Sequence, residues 1–354
     1  MVRTFFLAAL LGSACSTGST VPDGAAASDQ SNSGDGPTVG DTATTGDRPL
    51  EARLALADGR PATKLVEVVS FGTNPGHLRM YKIVPPGLTG PAPLLVVLHG
   101  CQLTASTFEA ASGWIGLGLS RRFLLVYAEQ STGNNPEACF NWFRPELSGR
   151  GQGEASSIRQ MVEQMRADHA VDPTRIFVTG LSAGAAMAGN LLADYPDVFA
   201  AGAIMSGVPT GCASSAIQAL SCMQGVDRTP AAWGDLARTA LPGYSGARPR
   251  VVLFHGTIDP LVAYSNLGEL VEQWTNVHGT DASPDAKLTV KGQPVEIYRT
   301  VGGVEVVRAY SLVGMGHGVA VDPGAGPEQG GVAGPSSFDL GFWSSYFAAQ
   351  FFGL

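Results

Sequence analysis

Arg175-Ile176-Phe177-Val178-Thr179-Gly180-Leu181-Ser182-Ala183-Gly184-Ala185-Ala186-Met187 is the stretch on which the reading of this chain turns. Residues 175 to 179 are a short β-branched and aromatic run, and Ala183 to Tyr195 is rich in Ala, Leu and Met. A strand, a sharp turn and a helix are therefore expected in succession, with a serine held between two small residues on the turn. That is the arrangement of a nucleophile elbow, in which a strained backbone exposes the serine hydroxyl. In a chain with 46 glycines the bare pentapeptide carries little weight, and a solvated serine in a Gly-rich turn would look the same. Context decides between them.

The partners a nucleophilic Ser182 needs lie downstream, in the order serine, acid, histidine. Arg250-Val251-Val252-Leu253-Phe254 reads as a second buried strand running into His255-Gly256-Thr257-Ile258-Asp259-Pro260. From such a loop Asp259 can fix the tautomer of a histidine and stabilise its imidazolium, although an Asp before Pro is also an ordinary turn former. Val304 to Val313 reads as the last strand and Gly314-Met315-Gly316-His317-Gly318 as its loop, the glycines letting His317 project freely. His278 also follows Asp259, but it ends the amphipathic segment Asn266 to Val277, where it suits the negative end of a helix dipole. His77 and His169 precede the elbow and are expected at the surface.

Upstream, Leu94-Leu95-Val96-Val97-Leu98 is a continuous apolar run, the pattern of a central parallel strand buried on both faces. His99-Gly100-Cys101-Gln102 follows it. The backbone N–H groups of Cys101 and Ala183 are the expected oxyanion donors, each typically worth about 3 kcal/mol of barrier. His99 is placed at the substrate pocket, bracing this loop by hydrogen bonding. Trp142 joins it there, either as a stacking face or apolar wall for substrate or as a structural Trp.

The remaining pattern predicts an edge hairpin over Leu65 to Phe71 and Leu78 to Val84, a strand at Phe123 to Tyr127 and another at Phe199 to Met205. Glu154 to Ala167 is an amphipathic helix with Ile158, Met161, Val162 and Met165 on its core face. Ser336 or Ser337 is expected to cap a terminal aromatic helix that stops at Gly353. Alternating β and α units imply a mostly parallel, doubly wound α/β sheet with helices on both faces. Functional residues then collect at the carboxyl ends of the strands. A Gly, Ala and Ser-rich insertion, residues 207 to 248, holds Cys212, Cys222, Met223 and Trp233 and is the candidate lid or pocket wall.

Lys and Arg number 22 against 30 Asp and Glu, a net charge of −8, with no basic run or aromatic-basic interleaving. Nucleic acid is therefore not an expected partner. Residues 1–14, one positive charge and a short apolar stretch, read as a signal peptide. Leu11-Gly12-Ser13-Ala14-Cys15 resembles a bacterial lipoprotein box and marks Cys15 for lipidation, the alternative being ordinary cleavage near Ala14. Residues 15–61 are expected to form a disordered Ser, Thr, Gly and Asp-rich tether. Membrane contact would come only through the lipid anchor, and a monomer is expected. Setting Cys15 aside, Cys101, Cys139, Cys212 and Cys222 allow three pairings. None has a partner at metal-ligand spacing, so no metal is expected, and no cofactor.

Six segments carry a family resemblance: Leu98 to Cys101, Cys139-Phe140-Asn141-Trp142-Phe143-Arg144-Pro145, Gly180 to Met187, Tyr195 to Ala200, Trp274 to Gly279 and Gly314 to Gly318. Together they resemble the catalytic domain of the polyhydroxybutyrate depolymerase family, which is close to the feruloyl and acetylxylan esterases of carbohydrate esterase family one. The resemblance covers about residues 62 to 354 and implies an α/β-hydrolase fold in a single catalytic domain over residues 62–354. It implies a serine ester hydrolase with Ser182, Asp259 and His317 at the triad positions. With proximity in the chain, it also implies the pairs Cys101–Cys139 and Cys212–Cys222. The implied substrate is a polyester oligomer of the polyhydroxyalkanoate type, or alternatively an acylated plant polysaccharide. Many secreted depolymerases append a linker and polymer-binding domain; the sequence ends at Leu354, so soluble oligomers and chain ends are the expected targets. A binding lipoprotein on a hydrolase scaffold is the contrasting class, and it would have no need of all three triad residues.

Overall fold

A computed structural model describes residues 64–354. The expected signal peptide of residues 1–14, Cys15 and the expected tether of residues 15–61 lie outside the described residues. Ten strands form one sheet: β1 (Val66–Val68), β2 (Arg79–Ile83), β3 (Ala92–Leu98), β4 (Leu124–Glu129), β5 (Val171–Leu181), β6 (Ala201–Met205), β7 (Arg250–Gly256), β8 (Ala286–Val290), β9 (Gln293–Arg299) and β10 (Glu305–Leu312). Their order across the sheet is β1-β2-β4-β3-β5-β6-β7-β10-β9-β8. The pairs β3–β4, β3–β5, β5–β6, β6–β7 and β7–β10 are parallel, whereas the outer pairs are antiparallel.

The continuous apolar run of β3 has the cause its pattern implied. Leu94, Val96 and Leu98 pack into one core cluster and Leu95 and Val97 into the other. One face is covered by α4 (Gly153–Asp168), α5 (Ala183–Asp194) and α8 (Asn266–Val277), bringing Met161, Leu191 and Trp274. The other is covered by α1 (Ala105–Ser112), α2 (Trp114–Arg121) and α9 (Ser344–Phe352), bringing Phe108, Trp114 and Phe347. Each fully buried side chain of this size stabilises the fold by about 1.5–3 kcal/mol. Three further helices lie among the described residues: α3 (Pro145–Ser148) and, within the insertion after β6, α6 (Ala216–Met223) and α7 (Pro230–Thr239).

Two local readings differ from the structure. Ser336 and Ser337 do not cap the last helix. Ser337–Asp339 is a strand, β12, pairing in parallel with β11 (Val319–Val321) as a separate two-stranded sheet. The Ser337 hydroxyl donates to Val332 O at 2.6 Å, leaving it no capping role. The helix begins after Trp343 and stops, as expected, at a left-handed Gly353. The hairpin of β8 and β9 was not anticipated. Its turn, Lys291-Gly292, has positive φ at both residues (46° and 80°), a conformation usually signalled by Asn-Gly rather than Lys-Gly. No helix among the described residues is long and apolar enough to cross a membrane.

Candidate active site

Ser182 stands between β5 and α5 with φ 57° and ψ −117°, a conformation costing a non-glycine residue on the order of 1–3 kcal/mol. Its surroundings impose it. Ser182 N donates to Met205 O on β6 at 2.9 Å. A Cβ on Gly180 would lie 2.3 Å from the backbone of Gly184, and one on Gly184 would lie 2.4 Å from His99 O. The flanking glycines are therefore required by close backbone approach, and the oxyanion loop packs directly on the elbow.

Asp259 follows β7 in a tight turn. Its Oδ1 accepts from Leu261 N and Val262 N, both at 2.9 Å, and His317 Nδ1 donates to its Oδ2 at 2.7 Å. The Asp259 side chain is fully buried and that of His317 is 13% exposed. Burial opposes ionisation of Asp259, but the His317 hydrogen bond and the two backbone donors outweigh it, holding the carboxyl below its ordinary range. With Nδ1–H committed to the carboxylate, Nε2 is left as the basic nitrogen of His317. The acid and histidine loops are laced together: Thr257 N donates to Leu312 O at 3.0 Å and Ile258 N to Met315 O at 3.1 Å. Gly314 N donates to Thr257 Oγ1 at 2.9 Å.

Ser182, Cys101 and Ala183 line one cleft whose walls are largely Trp142, Phe143, Val208, Ala219, Met223 and Val262. Among the described residues, neither Cys101 N nor Ala183 N has a hydrogen-bond acceptor. Two unsatisfied donors beside the serine suit a developing negative oxygen. The insertion after β6 supplies Val208, Ala219 and Met223, so it forms a pocket wall, while Trp233 is buried away from the cleft with its Nε1 donating to Glu269 Oε2 at 2.5 Å. Cys101 is bonded to Cys139 and Cys212 to Cys222.

Trp142 has two kinds of surroundings. It lines the cleft, and it is buried edge-on against Phe143 with Asn190 Nδ2 donating to its carbonyl at 2.8 Å. His99 does not line the cleft, correcting its placement at the pocket. It is buried beneath the oxyanion loop, with Nδ1 donating to Gly100 O at 2.7 Å and Nε2 accepting from Gln130 N at 3.0 Å. Burial pushes its pKa down, so it braces as a neutral ring. His278 does follow α8, but burial lowers its pKa too, and its Nε2 contacts Pro249 O at 2.8 Å; it pins the helix end without a charge for the dipole.

Two features escaped the sequence reading. His255, fully buried at the end of β7, donates from Nε2 to Val262 O at 3.0 Å and so holds the turn carrying Asp259. Its place at the end of β7, beside Gly256 and just ahead of the Asp259 turn, was the available signal. Behind the oxyanion loop, Gln130, Asn135, Asn141 and Glu154 form a buried polar network. Asn141 sits inside a quoted family motif, whereas Glu154 read only as the start of an amphipathic helix.

A mostly parallel sheet, a serine on a strand-to-helix elbow and an Asp–His pair at the carboxyl ends of later strands define an α/β-hydrolase serine esterase. Residues 79–291 match the family described as esterase PHB depolymerase, and the chain belongs to that family. It is 52% identical over 291 residues to poly(3-hydroxyalkanoate) depolymerase C of Paucimonas lemoignei, 82% of this chain and 70% of that protein. An acetylxylan esterase of Coprinopsis cinerea is 35% identical over 266 residues, 73% of this chain and 70% of that protein. Among solved structures, an acetyl xylan esterase from Aspergillus awamori superposes with a TM-score of 0.65 at 29% identity, covering 72% of this chain and 94% of its own.

Proposed function

We propose that the protein is an exported hydrolase of short-chain polyhydroxyalkanoate esters that works through an acyl-enzyme on Ser182. His317 Nε2 takes the hydroxyl proton as Ser182 Oγ attacks the ester carbon, and Asp259 stabilises the resulting imidazolium. The carbonyl oxygen becomes an oxyanion held by Cys101 N–H and Ala183 N–H. Collapse breaks the bond to the alkoxy oxygen, which leaves with the proton from His317. Water, deprotonated by the same nitrogen, then attacks the acyl carbon and releases the acid and free Ser182.

The observation that carries this reading is the 2.7 Å Asp259–His317 pair in a chain whose strained Ser182 opens on an apolar cleft. The substrate class is supported by the 52% identity to a poly(3-hydroxyalkanoate) depolymerase and by apolar walls that suit a small acyl unit. A second reading, an acetylxylan or feruloyl esterase, draws on the 35% identical relative and on the Trp142 face in the cleft. A side-by-side assay of hydroxybutyrate oligomers, acetylated xylan and methyl ferulate separates them. The oligomers are expected to give the highest kcat/KM; higher turnover of xylan or ferulate would overturn the substrate assignment.

Export is supported by the two bonded cysteine pairs, which belong to oxidising compartments. Anchoring runs through a lipidated Cys15, several acyl chains being needed for firm membrane attachment. Cell fractionation should find the wild type in detergent-soluble membranes and show loss of lipid modification in Cys15→Ala. Wild type found only in the medium, beginning at Ser16 or later, would rule the anchor out.

A further inference from the structure

We propose that Glu154 is a positioning residue for the Cys101 oxyanion donor, the buried point at which two hydrogen-bond arms gripping either side of that donor converge. The inference rests on the reading of Cys101 N–H as an oxyanion donor. In the first arm, Glu154 Oε1 accepts from Gln130 Nε2 at 2.6 Å, Gln130 N donates to His99 Nε2 at 3.0 Å, and His99 Nδ1 donates to Gly100 O at 2.7 Å. In the second, Glu154 Oε2 accepts from Asn141 N at 2.8 Å and Oε1 from Asn141 Nδ2 at 2.6 Å. Asn141 Oδ1 accepts from Asn135 Nδ2 at 3.0 Å, Asn135 Oδ1 accepts from Glu137 N at 3.0 Å, and Glu137 O accepts from Gln102 N at 2.7 Å. Gly100 and Gln102 are thus each tied back to one carboxylate, and Cys101 lies between them.

The network demands a carboxylate in particular. Glu154 is buried, and among the described residues no Lys, Arg or His forms an ion pair with it. Such a group is costly unless fully hydrogen-bonded. Burial raises its pKa, while three N–H donors and the helix dipole at the first turn of α4 favour the charged form against it. None of the donors is free to reverse. The Gln130 amide oxygen is committed to Ser131 N and Asn134 Nδ2, that of Asn141 to Asn135, and the third donor is backbone. An amide at position 154 therefore sets an NH₂ against a donor in either orientation.

An oxyanion donor acts mainly in the transition state, so loosening it lowers kcat more than it raises KM. Glu154→Gln is expected to lose roughly tenfold to hundredfold in kcat, short of the 10²–10³ typical for outright loss of a donor, with KM within about threefold. Because this variant could fail to fold, Asn135→Ala, which cuts the Gln102 arm and also trims a side chain lining the cleft, is measured beside it, and a loss of roughly threefold to tenfold in kcat is expected, matched by the ketone Ki. The assay is hydrolysis of p-nitrophenyl butyrate together with inhibition by an alkyl trifluoromethyl ketone, whose serine adduct carries the oxyanion. The ketone Ki should weaken by the same factor as kcat/KM in each folded variant. Full kcat in the folded variants, or a loss of kcat with unchanged Ki, would overturn the proposal. A wild type that hydrolyses the ester but ignores the ketone would instead refute the oxyanion reading, and the inference with it.

Discussion

Replacing Asp259 by Asn changes one atom of a fully buried side chain whose three hydrogen bonds all come from donors, Leu261 N, Val262 N and His317 Nδ1, with His255 Nε2 a further 3.5 Å neighbour of Oδ2. An amide supplies one acceptor and one NH₂. If its oxygen keeps the two backbone donors, its NH₂ faces His317 Nδ1, which must give up its proton and become the acceptor. The remaining proton then sits on Nε2, the nitrogen required as base. If the amide is reversed, its NH₂ is pressed against the Leu261 and Val262 N–H groups and the turn opens. The wrong-tautomer penalty in a Ser-His-Asp site is about 10⁴ in kcat, equivalent to about 5 kcal/mol of barrier. Stability should change far less, since one charge-assisted hydrogen bond of about 1.5–3 kcal/mol is exchanged for relief from burying a charge. Steady-state hydrolysis of p-nitrophenyl butyrate with a thermal melt measures both. The expected result is a loss of roughly 10³–10⁴ in kcat with a cooperative transition retained. A folded Asp259→Asn within about tenfold of wild type would refute the assignment of Asp259.

Gly184→Ala should disable the enzyme and cost more than about 2 kcal/mol, because its Cβ would lie 2.4 Å from His99 O, prising the oxyanion loop from the elbow; urea unfolding and the same ester assay check it. Reducing Cys101–Cys139, which spans 38 residues, should lower stability by roughly 4 kcal/mol on the chain-entropy account, read as a drop in Tm with dithiothreitol. Glu109 is buried, and burial outweighs its bonds to Tyr127 and Ile115 N, raising its pKa from 4.5 to about 8. The folded state therefore holds this proton where the unfolded chain has released it, and the stabilising contribution present below pH 4.5 fades as pH rises through about 8. Glu109→Gln should flatten that decline, gaining on the order of a few kcal/mol over wild type at high pH and nothing in acid; parallel slopes from melts across the range would contradict it.

The parts of this molecule legible in the sequence are those where one strong constraint acts locally. The β3 run is apolar because both its faces meet core, and the elbow glycines are small because backbone passes within contact distance of each. Ser182, Asp259 and His317 could be picked out because each ends a strand pattern with a recognisable turn. Less legible was whatever depends on partners distant in the chain. Glu154 meets Gln130 and Asn141 only after the sheet has brought the β4 end beside the start of α4. His99 looked like a pocket residue because it adjoins Cys101, but its ring turns inward to satisfy Gln130 N. Ser337 was a plausible cap until its hydroxyl found Val332 O and its backbone found β11.

The central claim is that Ser182 carries the acyl group, and covalent labelling tests it most directly. The protein treated with a fluorophosphonate should gain one adduct, map it to the peptide containing Ser182, and lose ester turnover in step with labelling. Ser182→Ala should take up no label and lose turnover by roughly a million-fold while melting like wild type. An adduct on any other residue, or a Ser182→Ala variant within about tenfold of wild-type activity, would contradict the account.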